Sequence, residues 1–294
     1  MKLWLPFLLS AFALGCSDDP AGAEGEDAGT MADGSPSGDA TPSPDATSDV
    51  AGDASVVTDT GVELPKEAGP PVPTSGCGKA ATAGQFTRNM TVGGTNREYV
   101  LKIPTGYDPK VAHPLFFSFH GSGSNGAGAI GGNDVIAGKP SIKVAPTNGD
   151  VTFVKALLDA MKAELCVDET RVYATGYSAG GGLADQVACS LGAQFRGVAV
   201  WEGFGSGSCS TPVAMWINHN QDDTTVPYSM GVSMRDQWLA TDGCSTATKP
   251  FNEPDPCVMY TCTKKPLVWC APTTGGHKPP YSNYDSMINF FSGL

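Results

Sequence analysis

Ser178 lies in a sequence setting that can turn its hydroxyl group into a nucleophile. It is the central residue of Gly176-Tyr177-Ser178-Ala179-Gly180, which follows the β-branched and aromatic run 171–175 and precedes a helix-like stretch, 181–189. A serine on a sharp strand-to-helix turn adopts strained backbone geometry, and glycines two residues before and after it remove the clashes. Its hydroxyl then lies at a helix N-terminus, where developing negative charge is stabilised. We therefore predict that Ser178 is a catalytic nucleophile.

A serine nucleophile needs a base, and the base needs an acid that orients it. The chain contains four histidines, His113, His120, His219 and His277. In enzymes with this turn the order along the chain is serine, acid, histidine. Only His277 leaves room for an acid at a strand end between it and Ser178. It follows two glycines in a loop before the last predicted helix. His277 is therefore the predicted base.

The predicted acid is Asp222 or Asp223. Both follow the near-continuous apolar run 212–218, which is typical of a strand covered on both faces. Parallel sheets carry their chemistry beyond the carboxyl ends of their strands. Two adjacent carboxylates cannot both face His277, so we expect the other one to lie in solvent or to cap the helix after Pro227.

An oxyanion requires two backbone N–H donors. Ala179, directly after the nucleophile, supplies the first in our prediction. The second is expected from the glycine-rich loop 120–126 after the apolar strand 115–119, and Ser122 is the predicted donor. His120 is then structural and holds this loop. A phosphate-binding role is excluded for the loop because no lysine follows its glycines in the Walker pattern.

The elements that must position these residues alternate between strands and helices. Two opening strands are predicted at 86–92 and 97–103, and central strands at 114–119, 141–146, 170–175, 196–201 and 212–218. Helices are predicted near 151–165, 179–191, 227–241 and 282–292. This alternation indicates an α/β fold with a mostly parallel central sheet and helices on both faces, which with this turn and chain order is the α/β-hydrolase fold. Residues 76–294 form this one domain.

The pattern of the first sixteen residues predicts a targeting segment. Lys2 precedes the apolar stretch 3–14, which is too short to span a bilayer. The segment ends in Ala13-Leu14-Gly15-Cys16, which resembles a bacterial lipobox, so we predict that Cys16 is lipidated. Ordinary signal cleavage is the alternative. The nine cysteines favour lipidation, because eight remain for pairing once Cys16 is set aside.

Residues 17–75 are predicted to form a disordered, acidic tether. They are rich in Asp, Ala, Gly, Pro, Ser and Thr, and they lack the apolar residues needed to offset chain entropy. The chain has a net charge of −12, and the 13 acidic residues and one lysine of this segment account for all of it. Repulsion between these acidic residues should keep the tether extended. Since residues 76–294 carry no basic excess, nucleic-acid binding has no support.

The eight cysteines after Cys16 indicate an exported, oxidised domain. A zinc site is disfavoured because no C-x-x-C pair occurs and histidines are few. By chain proximity we predict disulfides between Cys244 and Cys262 and between Cys257 and Cys270. The second would cross a hairpin around 264–266.

The chain resembles secreted feruloyl esterases of carbohydrate esterase family 1 over residues 76–294, and polyhydroxyalkanoate depolymerase-like esterases share the pattern. The similar segments are 77–79, 96–107, 150–154, 165–168, 229–231, 234–236 and 275–277. In that family the acid lies four residues after a strand-end histidine. The resemblance therefore implies that Asp223, four residues after His219, is the acid, with Asn220 in place of the family's glycine. It also supports Ser178 and His277.

The chain departs from this family near the predicted acyl pocket. Only residues 147–149 separate 144–146 from 150–152, whereas related esterases carry a longer segment with a Gly-Trp element. Tyr177 and Trp201 are candidate substrate contacts, and core packing is the alternative for each.

The resemblance implies a secreted serine carboxylic ester hydrolase, a feruloyl esterase that releases hydroxycinnamates from plant cell-wall polysaccharide without a metal or cofactor. Its only membrane contact would be the lipid on Cys16, at the outer membrane or surface of a bacterium. A polyester hydrolase with the same triad is an alternative. A non-catalytic surface-binding lipoprotein is another, which the complete set of Ser178, Asp223 and His277 disfavours.

Overall fold

A computed structural model describes residues 69–131, 135–136, 138–252, 256–278 and 284–294. The predicted signal segment 1–16, the lipidation of Cys16 and the tether as far as residue 68 lie outside the described residues. Within the described part of the chain, no helix is long and apolar enough to cross a membrane.

A ten-stranded sheet forms the centre of the domain, in the order β1-β2-β6-β3-β7-β8-β9-β12-β11-β10, and β4 and β5 form a separate pair. The strands are β1 (Gly84–Val92), β2 (Thr95–Ile103), β3 (His113–Phe119), β4 (Val135–Ile136), β5 (Lys139–Pro140), β6 (Ile142–Pro146), β7 (Val167–Tyr177), β8 (Gly197–Trp201), β9 (Ala214–Asn218), β10 (Cys244–Pro250), β11 (Cys257–Cys262) and β12 (Leu267–Cys270). The six strands from β6 to β12 in this order run parallel, and the strands at both edges pair antiparallel. The predicted, mostly parallel central sheet is confirmed.

Helices cover both faces of this sheet, as predicted. They are α1 (Gly126–Ala129), α2 (Val151–Glu164), α3 (Ala179–Leu191), α4 (Tyr228–Asp242) and α5 (Tyr284–Gly293). On one face, Phe153 of α2, Val187 of α3 and Trp238 of α4 share a single hydrophobic core. On the other face, Phe290 and Phe291 of α5 pack over the same strands. Burial on both faces explains why β3, β6, β8 and β9 contain no exposed residue and read as continuous apolar runs.

The folded domain includes residues that the sequence assigns to the tether. Val72 donates its backbone N–H to the Asp168 carboxylate at 3.1 Å, and Thr74 donates to the Val167 carbonyl at 3.1 Å. The Thr74 side chain is buried. Residues 72–74 therefore belong to the folded domain, which begins earlier than the predicted residue 76.

Four disulfides join the eight cysteines of the domain. The predicted pairs Cys244–Cys262 and Cys257–Cys270 are both present, and each links neighbouring strands of the β10-β11-β12 segment. The other pairs are Cys77–Cys166 and Cys189–Cys209.

We expect no free thiol among these eight cysteines in the oxidised protein. Alkylation without reductant, followed by mass spectrometry, should leave all eight unmodified. Reduction should lower the melting temperature, because each cross-link restricts the unfolded chain and contributes ~2–4 kcal/mol. Two or more alkylated cysteines among the eight would contradict the pairing.

Candidate active site

Ser178 occupies a strained turn between β7 and α3. Its φ of 55° and ψ of −119° lie in a region that side-chain-bearing residues rarely adopt. A Cβ atom on Gly176 would lie 1.9 Å from the Gly180 carbonyl oxygen, and one on Gly180 would lie 2.2 Å from the Phe119 carbonyl oxygen. Neither position therefore tolerates a side chain. This explains why glycines stand two residues before and two residues after Ser178, as the sequence pattern predicts.

A chain of hydrogen bonds connects Ser178, His277 and Asp223. The Ser178 Oγ lies 2.9 Å from His277 Nε2, and His277 Nδ1 lies 2.7 Å from an Asp223 carboxylate oxygen. Because an ionised carboxylate only accepts, His277 Nδ1 carries the proton and Nε2 is free to accept one from the serine. The structure thus brings together the three residues that the sequence singled out from separate segments.

The Asp223 carboxylate is buried and well supplied with donors. Its second oxygen accepts the backbone N–H groups of Thr225 at 2.9 Å and Val226 at 3.0 Å. Burial acts to raise the pKa of Asp223, but the hydrogen bonds from His277, Val226 and Thr225 outweigh it and hold the pKa below its ordinary value. Asp223 is therefore ionised at neutral pH and can stabilise a protonated His277.

Asp222 holds the loop that carries His277. Its carboxylate oxygens accept the backbone N–H groups of Gly275 at 3.1 Å and Gly276 at 2.7 Å. Asp222 is exposed to solvent, as expected, but it also fixes the loop before His277, which the sequence did not indicate. Asn220 adds a third contact, since its side-chain amide donates to the Gly276 carbonyl at 2.8 Å.

The two predicted substrate contacts have different surroundings. The Tyr177 hydroxyl donates to the His277 carbonyl at 2.9 Å, and its ring lies 5.2 Å from the His277 ring, so Tyr177 supports the histidine. Trp201 is 6% exposed, packs 4.4 Å from the Trp216 ring and donates its indole N–H to Thr175. Trp201 thus packs in the core, which is the alternative to a role as a substrate contact.

The predicted oxyanion donors lie on segments that adjoin Ser178. Ala179 is the first residue of α3, so its N–H has no acceptor within the helix. The loop that carries Ser122 reaches the nucleophile through Gly121, whose added Cβ would lie 3.4 Å from the Ser178 Cβ. His120 anchors this loop through its ring nitrogens, which contact the carbonyl oxygens of Gly121 and Thr147.

Glu202 is a site residue whose role the sequence did not reveal. It follows β8 with a positive φ of 47°, and it is fully buried. One carboxyl oxygen accepts the Asn218 side-chain amide at 2.8 Å, and the other accepts the Asn220 backbone N–H at 2.9 Å. Asn220 in turn holds the loop that carries His277. Glu202 therefore fixes the positions of Asn218 and Asn220, and through them the alignment of Asp223 with His277.

Glu202→Gln is expected to stay within about fivefold of wild-type kcat, because an amide retains the shape and most of the hydrogen bonds of the carboxyl group. Glu202→Ala leaves Asn220 without its acceptor and should lower kcat by about 10- to 100-fold with little change in KM. Steady-state kinetics on a soluble ester measures both. Equal activity of the two variants and the wild type would contradict the positioning role.

The pH dependence of stability tests the burial of Glu202. Burial is the main cause that raises its pKa to about 8, from an ordinary value of 4.5. Between these values the native state keeps a proton that the unfolded chain releases, so the free energy of unfolding falls as pH rises towards 8. Burial also raises the pKa of Asp242 to about 8, so Asp242 likewise lowers the free energy of unfolding as pH rises. Thermal melts from pH 5 to 8 should show a shallower decline for Glu202→Gln than for wild type.

Two groups among the described residues bring three possible metal-ligand side chains within 4.8 Å of one another: Asp185 with Cys189 and Cys209, and Glu202 with His219 and Asp223. The two cysteines form a disulfide and are not thiolates. In the second group His219 donates to the Val226 carbonyl at 2.8 Å, and both carboxyl groups already accept hydrogen bonds. We assign neither group as a metal site.

Comparison with known proteins places the chain in a family. No protein-family model matches the chain. It is 34% identical to feruloyl esterase C of Emericella nidulans over 190 residues, which cover 58% of the chain and 69% of that enzyme. It is 32% identical to feruloyl esterase D of Neurospora crassa over 204 residues, which cover 60% of the chain and 70% of that enzyme.

Solved structures share the fold. An acetyl xylan esterase from Aspergillus awamori matches with a TM-score of 0.57 and 14% identity over 71% of this chain and all of that one. A CE1 ferulic acid esterase from Anaeromyces mucronatus, in complex with ferulic acid, matches with a TM-score of 0.53 and 14% identity over 78% of this chain and 93% of that one. The α/β-hydrolase fold is therefore confirmed. Since the two feruloyl esterases C and D exceed 30% identity over more than two thirds of their length, the chain is a carboxylic ester hydrolase of the feruloyl esterase family.

Proposed function

We propose that this protein releases hydroxycinnamates from plant cell-wall polysaccharide with Ser178 as nucleophile, His277 as base and Asp223 as the acid that orients it. The observation that carries the proposal is the hydrogen-bond chain from Ser178 Oγ through His277 to Asp223, in a chain related to feruloyl esterases. A non-catalytic surface-binding lipoprotein would have no need of this alignment.

In the first half-reaction Ser178 Oγ attacks the ester carbonyl carbon while its proton moves to His277 Nε2. The carbonyl oxygen becomes an oxyanion, which the backbone N–H groups of Ala179 and Ser122 stabilise. The C–O bond to the alcohol then breaks, and the alcohol leaves with the proton from His277. Water repeats the cycle on the acyl-enzyme, which releases the free acid and restores Ser178. Asp223 keeps the Nδ1 proton in place throughout.

Rates on methyl ferulate, a short p-nitrophenyl ester and a hydroxyalkanoate polymer, measured side by side, test this function. We expect methyl ferulate to be the best of the three. Turnover of the polymer with none of methyl ferulate would favour the polyester hydrolase alternative. Ser178→Ala serves as the background control for all three substrates.

We further propose that the protein is exported and anchored at the bacterial outer membrane or surface by lipid on Cys16. The apolar segment before Ala13-Leu14-Gly15-Cys16 and the even number of cysteines after it support this proposal. Metabolic labelling with a radioactive fatty acid should mark the wild type and not Cys16→Ser. Equal labelling of both, or labelling of neither, would contradict the anchor.

A further inference from the structure

A polar groove lies beyond the carboxyl ends of the parallel strands, which is the edge of the sheet that also carries Ser178. It has a volume of about 780 Å³ and is lined by the β1–β2 hairpin and the segment 147–152. Tyr99 of β2 pairs antiparallel with Pro146 of β6, so the start of β2 and the end of β6 meet at this edge. Because β6, β3 and β7 are parallel neighbours, the end of β6 lies about 10 Å, or two strand spacings, from the end of β7.

The groove adjoins the loop that holds the predicted oxyanion donor. Thr147 lines the groove, and its carbonyl oxygen contacts one ring nitrogen of His120. The other ring nitrogen contacts the carbonyl oxygen of Gly121, which packs against Ser178. The side chain of His120 and Gly121 therefore lie between the groove and the nucleophile.

The lining suits a ligand with many hydroxyl groups. Its exposed, uncharged hydrogen-bonding side chains are three amides and two hydroxyls, those of Asn89, Asn96, Asn148, Thr95 and Thr152. An amide side chain both donates and accepts, and a hydroxyl does the same. Such groups match sugar hydroxyls, which also act as donor and acceptor.

The charges in the groove disfavour an anionic ligand. Its cation, Arg97, is paired with Asp150 at 2.6 Å and lies 4.4 Å above the Phe153 ring, so it is fixed and neutralised. Glu98 adds a second carboxylate, which accepts the Thr147 hydroxyl at 2.8 Å. The excess of one negative charge repels acidic sugars at short range.

We propose that this groove binds the neutral oligosaccharide chain that carries the ester. The proposal rests on the function proposed above and adds to it a binding site for the sugar side of the substrate. Ester cleavage and sugar binding then use separate residues, so each can be removed without the other.

The test uses the full chain and a neutral xylo-oligosaccharide without an ester. The double variant Asn148→Ala/Thr152→Ala removes an amide and a hydroxyl from the groove. Thr246→Ala is the matched control, since Thr246 is exposed on β10 at the opposite end of the sheet. In calorimetric titrations we expect the double variant to bind about tenfold more weakly than wild type, the loss of one or two hydrogen bonds, and the control to bind as wild type does.

Kinetics supply the second readout. For the double variant, kcat/KM on a feruloylated oligosaccharide should fall about tenfold while that on methyl ferulate stays unchanged. Unchanged binding, equal losses on both substrates, or tighter binding of an oligogalacturonate than of the neutral chain would overturn the proposal. Wild-type protein that binds the oligosaccharide but hydrolyses neither ferulate would overturn the proposed function and still support the groove.

Discussion

Replacing Ser178 with alanine is expected to lower kcat for ester hydrolysis by about 10⁴-fold or more. The change deletes one oxygen from a half-buried position, so the fold should persist. His277→Ala should cause nearly the same loss, because the serine hydroxyl is a weak nucleophile without a base at 2.9 Å. The double variant should be no slower than either single one, since both residues belong to one proton-transfer unit.

Single-turnover and steady-state assays with methyl ferulate measure these losses, and circular dichroism melts verify the fold. Ser245→Ala is a matched control, because Ser245 is exposed on β10, at the far end of the sheet from Ser178. It should retain wild-type rates. Ordinary turnover by Ser178→Ala would show that another group attacks the ester.

The parts of the site that sequence could predict are those that local pattern determines. Ser178 follows from a strand, a turn and a helix that are contiguous in the chain, and the strained turn is present as expected. The disulfides Cys244–Cys262 and Cys257–Cys270 were also predictable, because each joins strands that are neighbours in sequence. Cys77–Cys166 spans 89 residues and depends on how the segment before β1 folds against the start of β7, which no spacing reveals.

Glu202 shows why the rest could not be predicted. Its role arises from the pairing of β8 with β9, which sets Trp201 opposite Asn218 and so brings Glu202 next to the amides of the acid loop. A glutamate after a strand looks like a surface residue until that pairing is known. Strand β10 was missed for a different reason, since most of its residues are exposed and they lack an apolar alternation.

Asp223→Asn should lower kcat by about 10⁴-fold, whereas Asp222→Asn should lower it only a few-fold. The Asp223 carboxylate accepts the hydrogen bond from His277 Nδ1–H, with an N–O distance of 2.7 Å, and an asparagine there favours the tautomer that presents a proton to Ser178. Such a histidine cannot accept the serine proton. Substrate binding should persist, so the loss should fall on kcat and leave KM nearly unchanged.

Asp222 is a chemically matched control one residue away. Its carboxylate is exposed and accepts two backbone N–H groups of the His277 loop, so it positions that loop without touching the imidazole. An asparagine oxygen can keep one of these two hydrogen bonds, which limits the loss. Comparable losses in the two variants would mean that loop position, and not the histidine tautomer, limits the rate. A larger loss in Asp222→Asn than in Asp223→Asn would transfer the role of the acid to Asp222 and leave the serine-histidine chemistry intact.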